Sequence, residues 1–275
     1  MRRKQLASWG VNLFLTLGSL IALFPIYMAV LNSFKSDGEM FRSFIALPES
    51  ISFANYIEAF TRLDMLSSSL NSATVSMLGI LGILLCASLA GYKLSRTPGR
   101  LSGFLFLLFI ASMLVPFHSI MIPLTRMAKA LHASGSIYGL SFIYIGLGVN
   151  MAVFLYHGFV KSIPRELEEA AYIDGCGELK MYVKVIFPLL LPITVTIAIL
   201  DFLWIWNDFL LPLIMITDTS QYTLILSTNV LFGEYNKEWS LILASLVLTA
   251  IPVLIIYAFF QRYIMEGITE GAVKG

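Results

Sequence analysis

The chain has 275 residues, of which 58% are hydrophobic and only 13% are charged, and its mean hydropathy is +0.82. An average soluble protein is about 25% charged, so this composition excludes an ordinary soluble fold and predicts a protein solvated mainly by lipid. The net charge of +1 gives no indication of nucleic-acid binding, and the two cysteines and three histidines form neither a disulfide framework nor a metal-binding pattern.

The first predicted element is an apolar run at residues 11–31, preceded by three cations. The hydrophobic region of a signal peptide has about 7–15 residues and ends at a small-residue cleavage site. This run is longer and ends in AVLNSFK, and about 20 residues that rise ~1.5 Å each cross a ~30 Å bilayer core. We expect an uncleaved transmembrane helix, followed at residues 34–68 by a segment on the membrane surface with a short helix near residues 54–60.

Five further apolar runs predict five more transmembrane helices. They lie at residues 69–94, 102–124, 137–159, 185–207 and 240–260. Pro116 and Pro123 belong to the third run and Pro252 to the sixth, and proline is tolerated in such helices because neighbouring helices restore the lost backbone bonds. The expected fold class is all-α integral membrane, with six transmembrane helices and both termini on one side.

The distribution of cations predicts which side that is. With the N-terminus inside, twelve of the 18 Lys and Arg residues lie inside and six lie outside. Cytoplasmic loops carry an excess of Lys and Arg. Both termini are therefore expected in the cytoplasm, together with the loop between the fourth and fifth spans.

That loop leads into residues 167–192, LEEAAYIDGCGELKMYVKVIFPLLLP, which begin charged and end fully apolar. Ser162-Ile163-Pro164 predicts a helix start, with acidic residues near the positive end of the helix dipole. The helix should end near Ile173, because Asp174-Gly175 is a turn signal, and a second helical piece should begin near Gly177. Taken alone, the segment fits either a solvated loop helix or a surface that docks into another protein.

The spacing in this segment resembles a known motif. Glu169-Ala170-Ala171 is followed by three residues, Gly175, nine residues and then VIFP at 185–188. This resembles the EAA motif of binding-protein-dependent ABC importer permeases, with Val and Phe replacing the usual Ile and Leu, and Cys-Gly after Gly175 where Ala-Ser is common. Four other segments resemble the carbohydrate, maltose-type branch of that family: Asn71-Ser72, Ala90-Gly91-Tyr92, Trp206-Asn207-Asp208-Phe209 and the C-terminal FQRYIMEGITEGAVKG.

The resemblance implies a type I ABC importer permease fold with a cytoplasmic coupling helix. It implies three regions: an N-terminal transmembrane helix and extracytoplasmic loop at 1–68, a core at 69–262 with an EAA loop at 162–188, and a cytoplasmic tail at 263–275. The coupling helix would seat in a cleft of a cytoplasmic ATPase, with Glu169 paired to a basic residue there. The residues implied in ATPase coupling are Glu169, Ala170, Ala171, Asp174, Gly175, Pro188, Gly271 and Lys274.

The chain carries no motif for chemistry of its own. It has no G-x-x-x-x-G-K-[ST], no H-E-x-x-H and no G-x-S-x-G, so we expect no enzyme and no bound cofactor, with ATP and Mg held by the partner ATPase. A membrane enzyme is the rival class, but Asp201 and Asp208 would lie about 10 Å apart along a helix, against about 3 Å in an aspartyl dyad. An autonomous transporter would need more ionisable residues in its spans.

The candidate substrate pathway lies in the fifth span. Asp201, Trp204 and Asp208 would share one helical face, where carboxylates accept hydrogen bonds from sugar hydroxyls and an aromatic ring packs against a sugar. The alternatives are that Asp201 hydrogen-bonds to a neighbouring helix and that the tryptophans are interfacial anchors. Asn150 and His118 are further candidates, although lone polar residues in a bundle are more often satisfied interhelical contacts. Small residues in the second span are predicted to allow close packing; these are Gly79, Gly82, Ala87, Ala90 and Gly91.

The combined prediction is a permease subunit of an ATP-driven importer that moves a sugar or oligosaccharide across a bacterial cytoplasmic membrane by alternating access. Its expected partners are a second, related permease in a heterodimer, two copies of a cytoplasmic ATPase, an extracytoplasmic solute-binding protein and membrane lipid, with no nucleic acid. The alternatives are a permease for another polar solute, such as a glycerol phosphodiester or an alditol, or a membrane-embedded enzyme.

Overall fold

The computed structural model describes the backbone of residues 2–232 and 238–272 and, within these ranges, the side chains of residues 10–232, 238–259 and 261. All regular structure in the described ranges is helical. One π-helical turn and two 3₁₀ turns lie at Tyr182–Ile186, Thr219–Gln221 and Asn229–Phe232. The α-helices are α1 (Arg2–Ser33), α2 (Asp37–Arg42), α3 (Ala54–Arg62), α4 (Met65–Arg96), α5 (Arg100–Met113), α6 (Phe117–Ala130), α7 (Ile137–Val160), α8 (Glu166–Ile173), α9 (Glu178–Met181), α10 (Phe187–Leu189), α11 (Leu191–Asn207), α12 (Leu210–Met215), α13 (Leu224–Thr228) and α14 (Trp239–Ala272).

Among the described residues, four single helices are long and apolar enough to cross a membrane, and two bent helix pairs bring the number to six. The single helices lie at Gly10–Ser33, Met65–Arg96, Ile137–Val160 and Trp239–Phe259. They match the first, second, fourth and sixth predicted spans. The third and fifth predicted spans are the bent pairs, so the all-α, six-span fold is confirmed, although these two spans are not straight.

Prolines explain both bends. The third span turns by 105° between α5 and α6. Pro116 lies in the break as the N-cap of α6, extended at φ −63° and ψ 134°, and it supplies no backbone N–H that could continue the helix from α5. The fifth span turns by 73° between Glu178–Leu189 and Leu191–Asn207. Pro188 and Pro192 flank that bend and supply no backbone N–H to the helical ladder.

Two compact units make up the chain, and the first comprises Met1–Leu66 and Ser227–Pro252. Within it, the segment after α1 folds into the predicted short helix α3 and an additional helix, α2. Lys35 is only 2% exposed, and its Nζ donates to Oδ1 of Asn32 at 2.9 Å and to the carbonyl of Ser43 at 3.0 Å. Oδ1 of Asp37 accepts from the backbone N–H of Ser240 at 2.9 Å, which fixes this segment to the start of α14.

The second unit comprises Ser67–Leu226 and Val253–Gly275, and α4 packs closely within it. A Cβ added to Gly79 would lie 3.1 Å from Cδ1 of Ile205 on α11, and one added to Gly91 would lie 2.6 Å from Cβ of Tyr156 on α7. Ala87 is fully buried. The small residues of the second span therefore allow the close packing predicted for them, against both α7 and α11.

Candidate coupling surface and substrate pathway

The coupling helix predicted from sequence is α8, and it begins later than expected. It starts at Glu166 with Arg165 as its N-cap, two residues after Pro164. The predicted start at Ser162 is wrong because the backbone N–H groups of Ser162 and Ile163 still bond to the carbonyls of Phe159 and Val160 at the end of α7. These residues complete the preceding helix and cannot open the next one.

The C-terminus of α8 lies where the sequence predicted it. Asp174 is the C-cap, and Gly175 follows with φ +77°. The N–H of Gly175 donates to the carbonyl of Tyr172 at 3.0 Å. The N–H of Cys176 donates to the carbonyl of Ala171 at 3.0 Å. These two bonds form a complete Schellman motif, so the Cys-Gly step after Gly175 does not loosen the break, and α9 begins directly after Gly177.

One face of α8 and the turn after it present an exposed surface with acidic and apolar parts. Glu169 and Ala170 are exposed, whereas Ala171 faces inward at 7% exposure. Ile173 is 87% exposed, and Leu179 on α9 is 71% exposed. Large exposed apolar side chains beside polar groups are a feature of protein-binding surfaces.

The structure brings together most of the residues implied in coupling, but not all of them. Five of them lie on α8 and in its C-terminal turn: Glu169, Ala170, Ala171, Asp174 and Gly175. Pro188 stands apart at the bend of the fifth span. Gly271 is within α14, with nothing described beyond its backbone, and Lys274 lies outside the described residues.

The opposite face of α8 carries a largely buried ion pair that the sequence does not predict. Nε of Arg96 donates to Oε1 of Glu168 at 2.6 Å, and the two side chains are 12% and 15% exposed. Nη2 of Arg96 donates to the carbonyl of Ile163 at 2.8 Å, and the hydroxyl of Tyr92 donates to Oε2 of Glu168 at 3.1 Å. We call these four residues, Tyr92, Arg96, Ile163 and Glu168, the Arg96 cluster.

The Arg96 cluster joins residues about seventy positions apart, so no local pattern predicts it. In the sequence, Glu168 is only one of the acidic residues near the start of the predicted helix, and Arg96 is only one of the twelve predicted inside cations. A second ion pair, Lys93 with Glu178 at 3.3 Å, also connects the end of α4 to this region, but its side chains are 65% and 77% exposed. Exposed pairs contribute about 0–1 kcal/mol, whereas breaking a buried pair costs about 3–5 kcal/mol.

Asp201 is the buried acid of α11. It is 7% exposed, and its Oδ2 has no hydrogen-bond partner among the described residues. The expected alternative, a hydrogen bond to a neighbouring helix, is thus not made by this atom within the described part of the chain. A buried polar atom without a partner is destabilising by about 1–3 kcal/mol, so Asp201 stays a candidate pathway residue.

Trp204 and Asp208 are connected by a residue that the sequence did not single out. Tyr144 on α7 is fully buried; its ring lies edge-on to Trp204 with centroids 5.4 Å apart, and its hydroxyl donates to Oδ2 of Asp208 at 2.8 Å. The helical face predicted for Asp208 is not formed, because α11 ends at Asn207 and Asp208 is extended. Its Oδ1 instead accepts from the N–H of Leu210 at 3.0 Å and so stabilises the start of α12.

The remaining pathway candidates are not joined to this group by hydrogen bonds in the described residues. Asn150 is half-buried on α7. His118 is exposed in the first turn of α6, and its ring contacts that of Phe117 with centroids 6.1 Å apart. The structure thus joins Tyr144, Trp204 and Asp208 by direct contacts, and Asp201 is a candidate through its buried Oδ2, which has no partner among the described residues.

Comparisons with known proteins agree with one another. Residues 79–269 match the family described as binding-protein-dependent transport system inner membrane component. The chain is 39% identical to a probable starch degradation products transport system permease protein of Thermoanaerobacterium thermosulfurigenes over 93% of both chains. It is 36% identical to a multiple sugar-binding transport system permease protein of Streptococcus mutans, over 94% of this chain and 95% of the relative.

The fold also matches a solved structure. A chain in the crystal structure of a bacterial ABC transporter involved in the import of the acidic polysaccharide alginate superposes with a TM-score of 0.83. The match covers 96% of this chain and 98% of the other, at 22% sequence identity. At this identity the likeness concerns the fold alone.

Proposed function

Since this chain belongs to the family of binding-protein-dependent transport system inner membrane components, we propose that it is the permease subunit through which an ABC importer moves a sugar or oligosaccharide across the cytoplasmic membrane. The assignment of a sugar as the substrate is supported by the match, over more than nine-tenths of the chain, to permeases named for starch degradation products and multiple sugars. The type I importer fold supports the same function.

The family implies a membrane complex with an ATPase and a binding protein. In our proposal, this chain forms a heterodimer with a related permease, two ATPase copies bind ATP and Mg on the cytoplasmic side, and both termini of this chain lie in the cytoplasm. The chain supplies no nucleotide site of its own, which agrees with its lack of a P-loop sequence. The regions 1–68, 69–262 and 263–275 would be the peripheral span and loop, the translocating core and the tail.

The exposed face of α8 is the surface we propose for ATPase docking. The carboxylate of Glu169 would pair with a basic residue of the ATPase, while Ile173 and Leu179 would bury apolar surface that is now 87% and 71% exposed. Closure of the ATPase dimer would displace α8, and the chain would carry that displacement through α9 and α10 into α11. Asp201 and Trp204 on α11 would then move between inward-open and outward-open arrangements of the pathway.

Asp201 and Trp204 also suit an oligosaccharide path in our proposal. Oδ2 of Asp201 is buried and has no hydrogen-bond partner among the described residues, so a sugar hydroxyl would donate to it in an arrangement of the helices that opens the pathway to this atom. Trp204 is held by Tyr144 yet is 41% exposed, so part of its ring face is available to a sugar ring. Asp208, Asn150 and His118 would have secondary roles, Asp208 mainly by holding Tyr144.

The experiment that tests this function is uptake in a strain lacking the encoding gene. Labelled malto-oligosaccharides, other oligosaccharides, a glycerol phosphodiester and an alditol are supplied separately, with the wild-type gene restored on a plasmid. We expect restoration of uptake for at least one sugar or oligosaccharide and for neither of the other two solutes. Restored uptake of the phosphodiester or alditol alone would overturn the assignment of substrate class.

A further inference from the structure

The proposed function uses the exposed face of α8 and leaves the Arg96 cluster without a role. This cluster lies on the inward face, where Arg96 reaches two elements at once. Its Nη2 bonds to the carbonyl of Ile163, just before α8, and its Nε bonds to Glu168 in the first turn of α8. One side chain on the last turn of α4 therefore holds both the entry and the body of the coupling helix.

The burial of this ion pair makes the connection rigid. Both side chains are at least 85% buried, and Glu168 is held on its second oxygen by the hydroxyl of Tyr92. Rotating or sliding α8 against α4 would leave a charge buried without its partner, which is strongly unfavourable. The exposed Lys93–Glu178 pair imposes no comparable constraint, because water replaces either partner at little cost.

The far end of this connection reaches the candidate pathway. α4 runs unbroken from Met65 to Arg96, and Gly79 on it lies against Ile205 of α11 and Tyr144 of α7. Tyr144 in turn contacts Trp204. If α8 moves, Arg96 would transmit the movement to α4. The contacts of α4 with α11 and α7 would then transmit it to the candidate pathway without passing through α9 and α10.

We propose that Arg96 is a positioning residue that locks the coupling helix to the end of the second span, so that α8 and α4 move as one body during the transport cycle. The inference rests on the proposed function of α8 as the ATPase-coupling helix. It adds a second transmission route, through α4, to the covalent route into α11, and it assigns Glu168, the neighbour of Glu169, to an intramolecular role.

Charge-reversal variants test whether the Arg96–Glu168 pair fixes α8 to α4. The test variants are Arg96→Glu, Glu168→Arg and the double reversal. The matched controls are Lys93→Glu, Glu178→Lys and their double reversal, which change the exposed ion pair between the same regions. Each is assembled with its ATPase and partner permease in proteoliposomes, and sugar uptake and ATP hydrolysis are measured together. Each single reversal of the buried pair should lower the sugar transported per ATP by about tenfold or more, and the double reversal should recover most of it.

The controls should change the same ratio by less than about twofold. Equal effects of the buried and exposed pairs, or an unchanged transport ratio in both buried single variants, would overturn the lock. Failure of the proposed function is distinguishable, because the wild-type complex would then show no ATP-dependent sugar uptake at all.

Cross-linking provides a second test that does not depend on the charge variants folding. In a chain with Cys86→Ser and Cys176→Ser, the Arg96→Cys/Glu168→Cys pair removes both buried charges together and leaves neither unpaired. A short bifunctional thiol reagent then joins α4 to α8. If they move as one body, cross-linking should raise transport per ATP above that of the uncross-linked pair; blocked transport would show that α8 must move against α4 and would overturn the proposal.

Discussion

Glu168 and Glu169 are adjacent in sequence but lie in opposite environments. Neighbouring residues on a helix point in different directions, so the carboxylate of Glu168 is buried against Arg96 while that of Glu169 is exposed. The two positions therefore separate the contacts within this chain from those proposed with the ATPase. A substitution of Glu168 should disturb contacts within this chain, whereas a substitution of Glu169 should disturb binding to the ATPase.

Replacing Glu169 with Lys is expected to abolish uptake while leaving the protein in the membrane. The side chain is exposed and makes no hydrogen bond or ion pair within the described part of the chain, but a reversed charge would repel the basic residue proposed in the ATPase. Uptake and the membrane-inserted amount are measured together, with Glu166→Lys, an exposed acid on the same helix, as the control. Normal uptake by the Glu169 variant would contradict the docking role.

Replacing Asp201 with Ala is expected to lower transport several-fold, up to about tenfold, without uncoupling the ATPase, since a lost hydrogen bond corresponds to about 0.5–1.5 kcal/mol. The same change should raise the thermal stability of the detergent-solubilised protein, because it removes a buried oxygen that has no partner among the described residues. Asp201→Asn serves as the isosteric comparison. Unchanged transport in the Ala variant would show that Asp201 is a packing residue.

At the scale of elements, the break after α8 depends on one glycine. Gly175 has φ +77°, and a non-glycine residue in that conformation costs about 1–2 kcal/mol. Gly175→Ala should therefore weaken the Schellman turn and reduce uptake several-fold. Gly177→Ser is the matched control, because Gly177 has φ −68° and is an N-cap position where serine is favoured; equal losses in both variants would contradict this account.

The N-terminus of α2 has a capping box formed by Ser36 and Glu39, for which we predict a dependence on pH. The side chain of Glu39 accepts from the backbone N–H groups of Ser36 at 2.9 Å and Glu49 at 3.0 Å, and these bonds lower the pKa of Glu39 below its ordinary value of 4.5. A carboxyl with a pKa lowered by folding stabilises the fold above its unfolded pKa, and this contribution is lost as the pH falls through the folded value.

Amide hydrogen exchange at Ser36 and Glu49 should consequently stay protected, after correction for intrinsic rates, at pH values above about 4.5, the ordinary pKa of the group. Protection should fall on further acidification. Glu39→Gln should remove this pH dependence without unfolding α3. A pH-dependent loss that persists in the Gln variant would assign the effect to another group.

At the scale of the whole molecule, the transmembrane helices were predictable because each depends on local composition. The turn at Asp174-Gly175 was predictable for the same reason, since a positive φ requires glycine or a similarly permissive residue. The bends of 105° and 73° in the third and fifth spans were not predicted. Pro116, Pro188 and Pro192 lie at them, but a proline in a transmembrane helix is often accommodated without such a bend.

The interior of the site was less predictable because its contacts join distant parts of the chain. Arg96 and Glu168 are 72 positions apart, and Tyr144 and Asp208 are 64 apart. A single sequence shows each of these residues only beside its neighbours in the chain. There, an arginine near a helix end indicates only the orientation of the chain in the membrane. The end of α11 at Asn207 similarly removed Asp208 from the predicted helical face.

The most direct measurement of the central claim is ATP-dependent uptake in proteoliposomes that contain this chain, its partner permease and the ATPase, with the binding protein supplied on the outer side. The account predicts that a labelled oligosaccharide accumulates inside only when ATP and the binding protein are both present, and that Glu169→Lys abolishes accumulation. Equilibration of the sugar without ATP, or full accumulation by the Glu169 variant, would contradict it.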